Sequence, residues 1–227
     1  MHKEKNSLLI SFLVMLGGAA IAIVCSWFVR DFDAQGYVNA VLNQHYQGTV
    51  NEMAKFVNLS TEELYEQYED GVVSFVQNNI TSGVEMDETL EQKYIALGKE
   101  IFMIMQYNVT EAEKISSKEY NVPVEYQTMN IFANFIELVH VESQKIYDKV
   151  EKGEYTGTVD EINKQMQEEF LNNAYDCLMQ AYQEVAYEEK ETMIFKVKEN
   201  EEGLFVIDEE QIYDFTTKIM GFDEIQD

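Results

Sequence analysis

Apolar residues recur at helical spacing along most of the chain, and residues that commonly cap helices stand at the ends of these stripes. Asp33 is placed to cap a first helix that Gly48 ends, because a carboxylate can accept from first-turn amides and glycine readily adopts the left-handed conformation that follows many helices. The face that this helix would bury comprises Tyr37, Val38, Val41, Leu42 and His45.

The same signals predict three more helices before the pattern changes. Residues 49–52 (TVNE) and 60–63 (STEE) are capping boxes, in which the hydroxyl and the carboxylate side chains satisfy each other's backbone amides. The helix after the second box contains Gly71 and would bury Leu64, Tyr68, Val72, Phe75 and Val76. A helix after Asp87 would bury Leu90, Tyr94, Leu97, Ile101 and Met105.

The period changes to two at residues 120–127. Four large apolar residues alternate there with polar residues and Pro123, and they are Tyr120, Val122, Val124 and Tyr126. This alternation is typical of a strand with one buried face. Because proline cannot donate to a ladder, Pro123 predicts an edge position or a bulge. Residues 107–115 would form the hairpin partner of this strand.

The rest of the chain predicts helices and one more hairpin. The hairpin comprises residues 193–198 and 204–207, with a turn between them. Helices are expected near residues 131–150, from the capping box at 158–161 to Val185, and over residues 208–220. The stripe of the long helix comprises Ile162, Met166, Phe170, Ala174, Cys177, Ala181 and Val185. Two hairpins with helices before, between and after them predict an α+β fold, with helices packed on one face of an antiparallel sheet.

This order of elements and four stretches of sequence resemble a family of uncharacterised membrane-tethered or lipoprotein domains from Gram-positive bacteria. The stretches are distributed between residues 33 and 213 and are DAQGYVNAVLNQHYQG, LSTEELYEQYEDG, QYNVTEAEKISSKEYNVPVEYQTMNIF and FKVKENEEGLFVIDEEQIY. The resemblance implies a cystatin-like, or nuclear-transport-factor-like, cone in which a curved sheet wraps a helix. Members often begin with a lipobox, from which this chain departs at Val24. The family supplies no catalytic residues.

Residues 8–29 form an unbroken run without charge. At about 1.5 Å rise per residue such a helix reaches about 33 Å, enough to cross a hydrocarbon core of about 30 Å. We therefore expect a cytoplasmic tip and transmembrane signal anchor over residues 1–30, followed by a folded domain over residues 31–227. Cleavage at the small-x-small motif of residues 20–22 and lipidation of Cys25 are the alternatives to a retained anchor.

The charges that flank the run predict its orientation. Lys3 and Lys5 precede it, whereas Arg30 alone follows it. Because cytoplasmic flanks carry the excess of lysine and arginine, we expect a single-pass protein of the cell membrane, with its N-terminus in the cytoplasm and its C-terminal domain outside.

The folded domain is strongly acidic. Residues 31–227 contain 13 basic and 41 acidic residues, a net charge of −28, and Arg30 is the only arginine in the whole chain. Such a field repels nucleic acid and attracts cations or basic proteins. We therefore expect no nucleic-acid partner and a basic face on any protein partner.

Motifs that carry chemistry are sparse. His45 and His140 have no second ligand at metal-binding spacing, and Cys177 belongs to an apolar stripe, so all three are interpreted as packing or surface residues. With Cys25 in the predicted span, no disulfide is available within the domain. There is no glycine-rich phosphate loop, GxSxG or HExxH motif. We predict no catalytic, cofactor-binding or metal-binding residues and no cofactor.

These observations favour a membrane-anchored extracytoplasmic domain that binds or interacts without catalysis. Its partners would be the membrane, through residues 8–29, and a basic protein or a small apolar ligand. The alternative is a small-ligand-binding domain with an apolar pocket in the mouth of the cone, and an enzyme is a third hypothesis. A filled cone with an exposed apolar patch would favour the interaction domain.

Overall fold

The structure is a computed structural model that describes residues 32–225. The helices of this part are α1 (Ala34–Gln47), α2 (Thr61–Phe75), α3 (Glu88–Met103), α4 (Ile131–Glu151), α5 (Val159–Gln183) and α6 (Glu209–Ile219). The strands are β1 (Gln106–Val109), β2 (Glu113–Ser116), β3 (Glu119–Met129), β4 (Tyr187–Glu199) and β5 (Phe205–Ile207). Short 3-10 turns occupy Met53–Lys55 and Phe222–Ile225, and a π-helical turn occupies Val76–Ile80.

The first helix begins and ends where its capping residues predict. The Asp33 carboxylate accepts from the backbone amide of Gly36 at 2.8 Å, and Gly48 follows the helix in the left-handed conformation with φ of 62°. The predicted apolar residues of α1 are buried, except that His45 is only half-buried. The capping boxes at Ser60 and Thr158 are likewise formed and begin α2 and α5.

The predicted box at residues 49–52 does not begin an α-helix, so this expectation was wrong. The chain forms only the single 3-10 turn Met53–Lys55 there, and no side chain caps it. Met53 and Val57 are buried in the core, and the Ser60 box already begins α2 a few residues later. One tight turn is therefore sufficient to bury these residues, and a longer helix would have to pass the point where the chain reverses.

The sheet is antiparallel, with the strand order β1-β3-β4-β5 and with β2 also paired to β3. Both predicted hairpins are present, and the long ladder between β3 and β4 joins them. It extends from Glu119 opposite Lys198 to Met129 opposite Tyr187. The sheet curls into a half-barrel, and the α+β prediction is thereby confirmed.

Pro123 lies in a central strand rather than at an edge or in a bulge. Strand β1 pairs with β3 as far as Val124, and β2 begins its pairing at Asn121. Pro123 falls between them, and its carbonyl accepts from the amide of Thr110 at 2.9 Å. Since the amide and carbonyl of one residue point to the same neighbour in an antiparallel sheet, the missing donor faces the break between two short strands.

One face of the sheet carries the core. The alternating apolar residues of β3 and the residues Phe195 and Val197 of β4 are buried, and they point to the side where α1 and α6 pack. The opposite positions of β3 are only half-buried, and most of those in β4 are exposed. Helices therefore cover one face, as predicted.

Between β3 and β4 the chain forms a helical hairpin of α4 and α5. The two helices run antiparallel and are tied by the Lys149–Glu169 ion pair and by the Tyr155 hydroxyl, which donates to Glu169 at 2.9 Å. Only the first turns of α4 and the second half of α5 join the main core, whereas Ile146 is buried outside it. The outer half of the hairpin is thus a projection from the domain.

The two ends of β3 contact different parts of the fold. At one end the ring of Phe32 stacks on Phe205, with 4.2 Å between centroids, and lies 5.9 Å from Tyr120. At the other end β3 leads into α4 directly after Met129, which pairs with Tyr187 just after α5. At about 3.3 Å per residue, these ends are separated by about 30 Å.

The hairpin points away from Phe32. Helix α5 runs beside α3 in the same direction, because Tyr94 donates to the carbonyl of Leu171 at 2.7 Å and Tyr187 donates to that of Ile104 at 2.8 Å. Helix α3 runs antiparallel to α2, because Gln77 donates to Glu91 whereas Lys99 donates to Glu69. Helix α2 in turn extends beyond the end of α1, since Gly48 lies beside Tyr68 in the middle of α2. The residues of α5 before Gln167, which contacts Glu85 between α2 and α3, therefore extend beyond α1, α2 and α3 by about 12 Å at 1.5 Å per residue, together with the end of α4.

Among the residues that the structure describes, no helix combines the length and apolarity that a membrane span requires. The predicted span over residues 8–29 lies outside the described residues, and so does the rest of the predicted anchor region over residues 1–30. Both stay predictions.

Candidate functional site

The inner face of the curled sheet is filled by side chains. Phe215 of α6 lies 5.4 Å from Phe195 and 5.5 Å from Tyr126, measured between ring centroids. Tyr46 packs on the same ring at 6.1 Å, and neither Phe195, Phe215 nor Tyr46 exposes any measurable surface. The region where the apolar pocket was expected is therefore occupied by aromatic rings.

A cleft of about 400 Å³ lies elsewhere, where the chain passes from α2 to α3. Its wall begins with the π-helical turn, whose register is marked by the bond from the Thr81 amide to the Val76 carbonyl at 3.0 Å. Ser82 and Gly83 then take the left-handed conformation, with φ of 52° and 65°. The first turns of α3 form the other wall. Helix α5 touches the rim, since Gln167 donates to the carbonyl of Glu85 at 2.9 Å.

The lining of the cleft combines apolar side chains with two carboxylates. Its residues are Val76, Gln77, Thr81, Gly83, Val84, Glu85, Met86, Glu91 and Tyr94. Gln77 donates to Glu91 at 3.2 Å, and the buried hydroxyl of Tyr94 donates to α5. Burial raises the pKa of Tyr94 above its usual range, so its hydroxyl stays protonated. The lining contains no lysine, arginine or histidine.

A second candidate surface is the projecting part of the helical hairpin, residues 137–169, which we call the hairpin tip. Four large apolar side chains are exposed on it, and they are Val141 at 52%, Tyr147 at 57%, Val150 at 42% and Val159 at 73% of their surface. Tyr147 and Val150 are three residues apart and therefore adjoin on α4. They give the hairpin tip apolar surface that is accessible to solvent.

The hairpin tip is acidic as well. It contains nine acidic residues and four lysines, a net charge of −5. Three of the lysines are paired with glutamates of the tip itself, and they are Lys145, Lys149 and Lys164. The outward field of the tip is consequently negative.

The two histidines lie on different helices, and the structure does not bring them together. His45 is half-buried in the last turn of α1, where its ring meets that of Tyr46 edge-on at 4.8 Å between centroids. Burial lowers the pKa of His45 to about 4. His140 is exposed on α4. Within the described residues there is no group of three or more histidine, cysteine or acidic side chains that is arranged to hold a metal.

Cys177 is buried where α5 joins the core, as its apolar stripe predicts. Burial raises the pKa of its thiol, which disfavours the thiolate that a nucleophile requires. The prediction that the chain has no catalytic, cofactor-binding or metal-binding residues is not tested by these observations and stays a prediction.

The cleft was missed by sequence reasoning. Its carboxylates, Glu85 and Glu91, are two among many acidic residues, so their sequence positions carry no information on their own. The available signal was the short polar break of residues 81–83, which separates two apolar stripes and contains a glycine. That break predicts a turn, but it does not predict that the turn leaves space beside α3.

Comparison with known proteins supports the fold of this chain but does not show its family. No protein-family model matches the chain. No curated protein matches it either. Among solved structures, the chain is similar to the crystal structure of ycdA from Bacillus subtilis, described as a "putative lipoprotein", with a TM-score of 0.50 and 14% sequence identity. The likeness covers 83% of this chain and 56% of that one, so this chain spans little more than half of its length. It supports the α+β fold, and the cystatin-like assignment stays a prediction.

Proposed function

We propose that this protein is a membrane-anchored, extracytoplasmic interaction domain without catalytic activity, which presents its hairpin tip to a basic protein partner. The observation that carries the proposal is the opposition between the two ends of the molecule. Phe32, two residues after the predicted anchor, is packed at one end, and the exposed apolar residues of the hairpin project from the other.

The junction with the predicted anchor has little slack. Only Arg30 and Asp31 separate the predicted span, which ends at residue 29, from Phe32, whose ring packs between α1, β3 and β5. Three steps of about 3.5 Å each reach no more than about 10 Å. The Phe32 end of the domain would therefore sit against the membrane surface, and the hairpin tip would be the part furthest from it.

The chemistry of the hairpin tip indicates the kind of partner. Exposed apolar side chains supply surface that a partner can bury, and the surrounding carboxylates attract a basic face. A second copy of the chain is a poor partner, because two domains of net charge −28 repel each other. A partner with lysine or arginine around an apolar centre suits the tip.

The similarity to ycdA supports the extracytoplasmic part of the proposal, since a lipoprotein is held at a membrane surface by its N-terminus. The filled inner face of the sheet supports an interaction domain over a ligand pocket in the cone.

Site-specific photo-crosslinking tests this function in the intact chain, expressed in its own host. A photoreactive phenylalanine analogue replaces Tyr147 on the tip or, as a control, Tyr65, which is 48% exposed on α2. We expect a discrete adduct from position 147 alone, and we expect the crosslinked protein to be basic. The adduct should weaken at high salt, because surface electrostatics are screened.

Charge reversal separates specific docking from chance proximity. Glu151→Lys with Glu154→Lys alters the tip, and Glu62→Lys with Glu66→Lys makes the same change on the exposed side of α2. Loss of the adduct with the first pair and its retention with the second is the expected result. Equal adducts from positions 147 and 65, or equal effects of the two charge reversals, would overturn the proposal.

A further inference from the structure

The cleft between α2 and α3 is a different feature from the hairpin tip, and the proposed partner does not use it. Its volume of about 400 Å³ is within the range of small-molecule sites and would hold about a dozen water molecules at about 30 Å³ each. The cleft is built into the fold on three sides. Helix α2 supplies the π-helical turn, α3 supplies its first turns, and α5 is hydrogen-bonded to the rim at Glu85.

The lining selects ligands by charge. The charged residues of the lining are the glutamates Glu85 and Glu91, and none of its nine residues is basic. An anion would meet no countercharge there, whereas a cation would meet two. The accessible apolar surface comes mainly from Val84 and Met86, because Val76 and Tyr94 are almost fully buried, so a bound molecule would also bury apolar surface.

The start of α3 does not reverse this preference. A helix N-terminus can attract anions through its free amides. Here the Asp87 carboxylate already caps α3 and accepts from the amide of Leu90 at 3.0 Å. The positive end of the helix is thus neutralised by the chain itself, and Glu88 adds a further negative charge in the first turn.

We infer that the cleft is a binding site for a small organic cation with an apolar surface, such as a quaternary or protonated amine. The carboxylates of Glu85 and Glu91 neutralise its charge. Val84 and Met86 cover its apolar part. The site is independent of the proposed protein partner.

Methionine-methyl NMR on the full chain in detergent provides the test. Tetramethylammonium is the probe, and the trimethylacetate anion is its matched control, because both are compact groups with methyl surfaces and opposite charge. The Met86 methyl resonance, assigned with Met86→Leu, reports on the cleft, and that of the buried Met53 reports on the fold. At constant ionic strength, we expect tetramethylammonium to shift Met86 in a saturable way and trimethylacetate to leave it unchanged.

Three variants make the result specific. Glu85→Gln with Glu91→Gln should weaken binding at least tenfold, whereas Glu88→Gln, on the same helix but outside the lining, should change it less than twofold. Val84→Trp should block the cleft while leaving both carboxylates in place, and an unchanged Met53 resonance verifies that each variant is folded. No saturable shift of Met86, an equal shift with trimethylacetate, or equal binding by the Glu85→Gln/Glu91→Gln variant would overturn the inference.

Discussion

The hydroxyl groups of Tyr46 and Thr216 lie 2.6 Å apart in the core, although 170 residues separate them along the chain. Thr216 donates its single proton to the carbonyl of Ile212 at 2.8 Å, so Tyr46 is the donor in the bond between the two hydroxyls. Burial raises the pKa of Tyr46 above its usual range, which keeps that proton in place. The bond joins the first helix of the domain to the last one over the inner face of the sheet.

Substitutions at this pair should be asymmetric. Tyr46→Phe removes the donor but leaves Thr216 bonded to Ile212, so we expect the free energy of unfolding to fall by about 1 kcal/mol. Thr216→Val leaves the buried hydroxyl of Tyr46 without its acceptor and should lower the free energy of unfolding by more, up to about 3 kcal/mol. Urea unfolding measures both changes, and Tyr147→Phe on the exposed hairpin tip is the control. A double variant that costs the full sum of the single changes would argue against direct coupling of the two hydroxyls.

His45 should make the domain less stable in mild acid. Its pKa is about 4 when folded, against about 6.5 in an unfolded chain, so between these values the unfolded state binds more protons. The free energy of unfolding should thus fall as the pH is lowered from about 6.5 to about 4, by at most about 3 kcal/mol. Unfolding of wild type and His45→Gln across this range measures the effect.

The difference between the two proteins isolates His45 from the many carboxylates. The pH dependence between about 4 and about 6.5 should flatten in His45→Gln. Parallel stability curves for wild type and His45→Gln would show that burial does not hold this histidine neutral.

Two glycines should respond to alanine with opposite signs. Gly48 has φ of 62°, and a Cβ there would lie 2.8 Å from the ring of Tyr68, so Gly48→Ala should lower the free energy of unfolding by more than about 1 kcal/mol. Gly71 lies inside α2 with nothing within 4 Å of an added Cβ, so Gly71→Ala should raise it by about 0.5–1 kcal/mol. Thermal unfolding of the two variants gives the sign directly. Destabilisation by Gly71→Ala would indicate a role for that glycine beyond helix propensity.

Cys177 should react only when the domain opens. Its thiol is buried on α5 and its pKa is raised, so both access and thiolate formation are limited. In a Cys25→Ser background, alkylation by iodoacetamide should be at least roughly a hundredfold slower in the folded protein than in urea, as the free energy of local opening permits. Rapid alkylation under native conditions would contradict the assignment of Cys177 to the core.

Local signals predicted the helices of this chain well, because each cap acts within a few residues. Ser60 and Thr158 meet the glutamates three residues later whatever the rest of the fold does. The box at residues 49–52 failed because tertiary packing overrode it. Burial of Met53 needs only a single turn, and the chain must reverse before α2.

The sequence predicted the arrangement of distant helices and strands less well. The alternation around Pro123 predicted a strand with one buried face, but no pattern in the sequence indicates that two short strands share one side of it and leave a gap opposite the proline. The cleft lined by Glu85 and Glu91 depends likewise on how α2, α3 and α5 meet. The projection of the hairpin tip depends on the direction of α5 relative to α3, which hydrogen bonds such as that from Tyr94 to Leu171 determine.

The helices α4 and α5 are both connected to the same end of the β3–β4 pair, and this has a mechanical consequence. Tension between the membrane and a partner on the hairpin tip would pull β3 and β4 in the same direction. The two strands would not slide past each other, so the hydrogen bonds between them would carry little of the force. The force would pass instead through the packing of α1 and Phe32 against the sheet, including the bonds from Gln35 to Val109 and from Tyr107 to Asn43. Resistance to stretching would then be decided by side-chain contacts between α1 and the sheet rather than by the longest ladder in the fold.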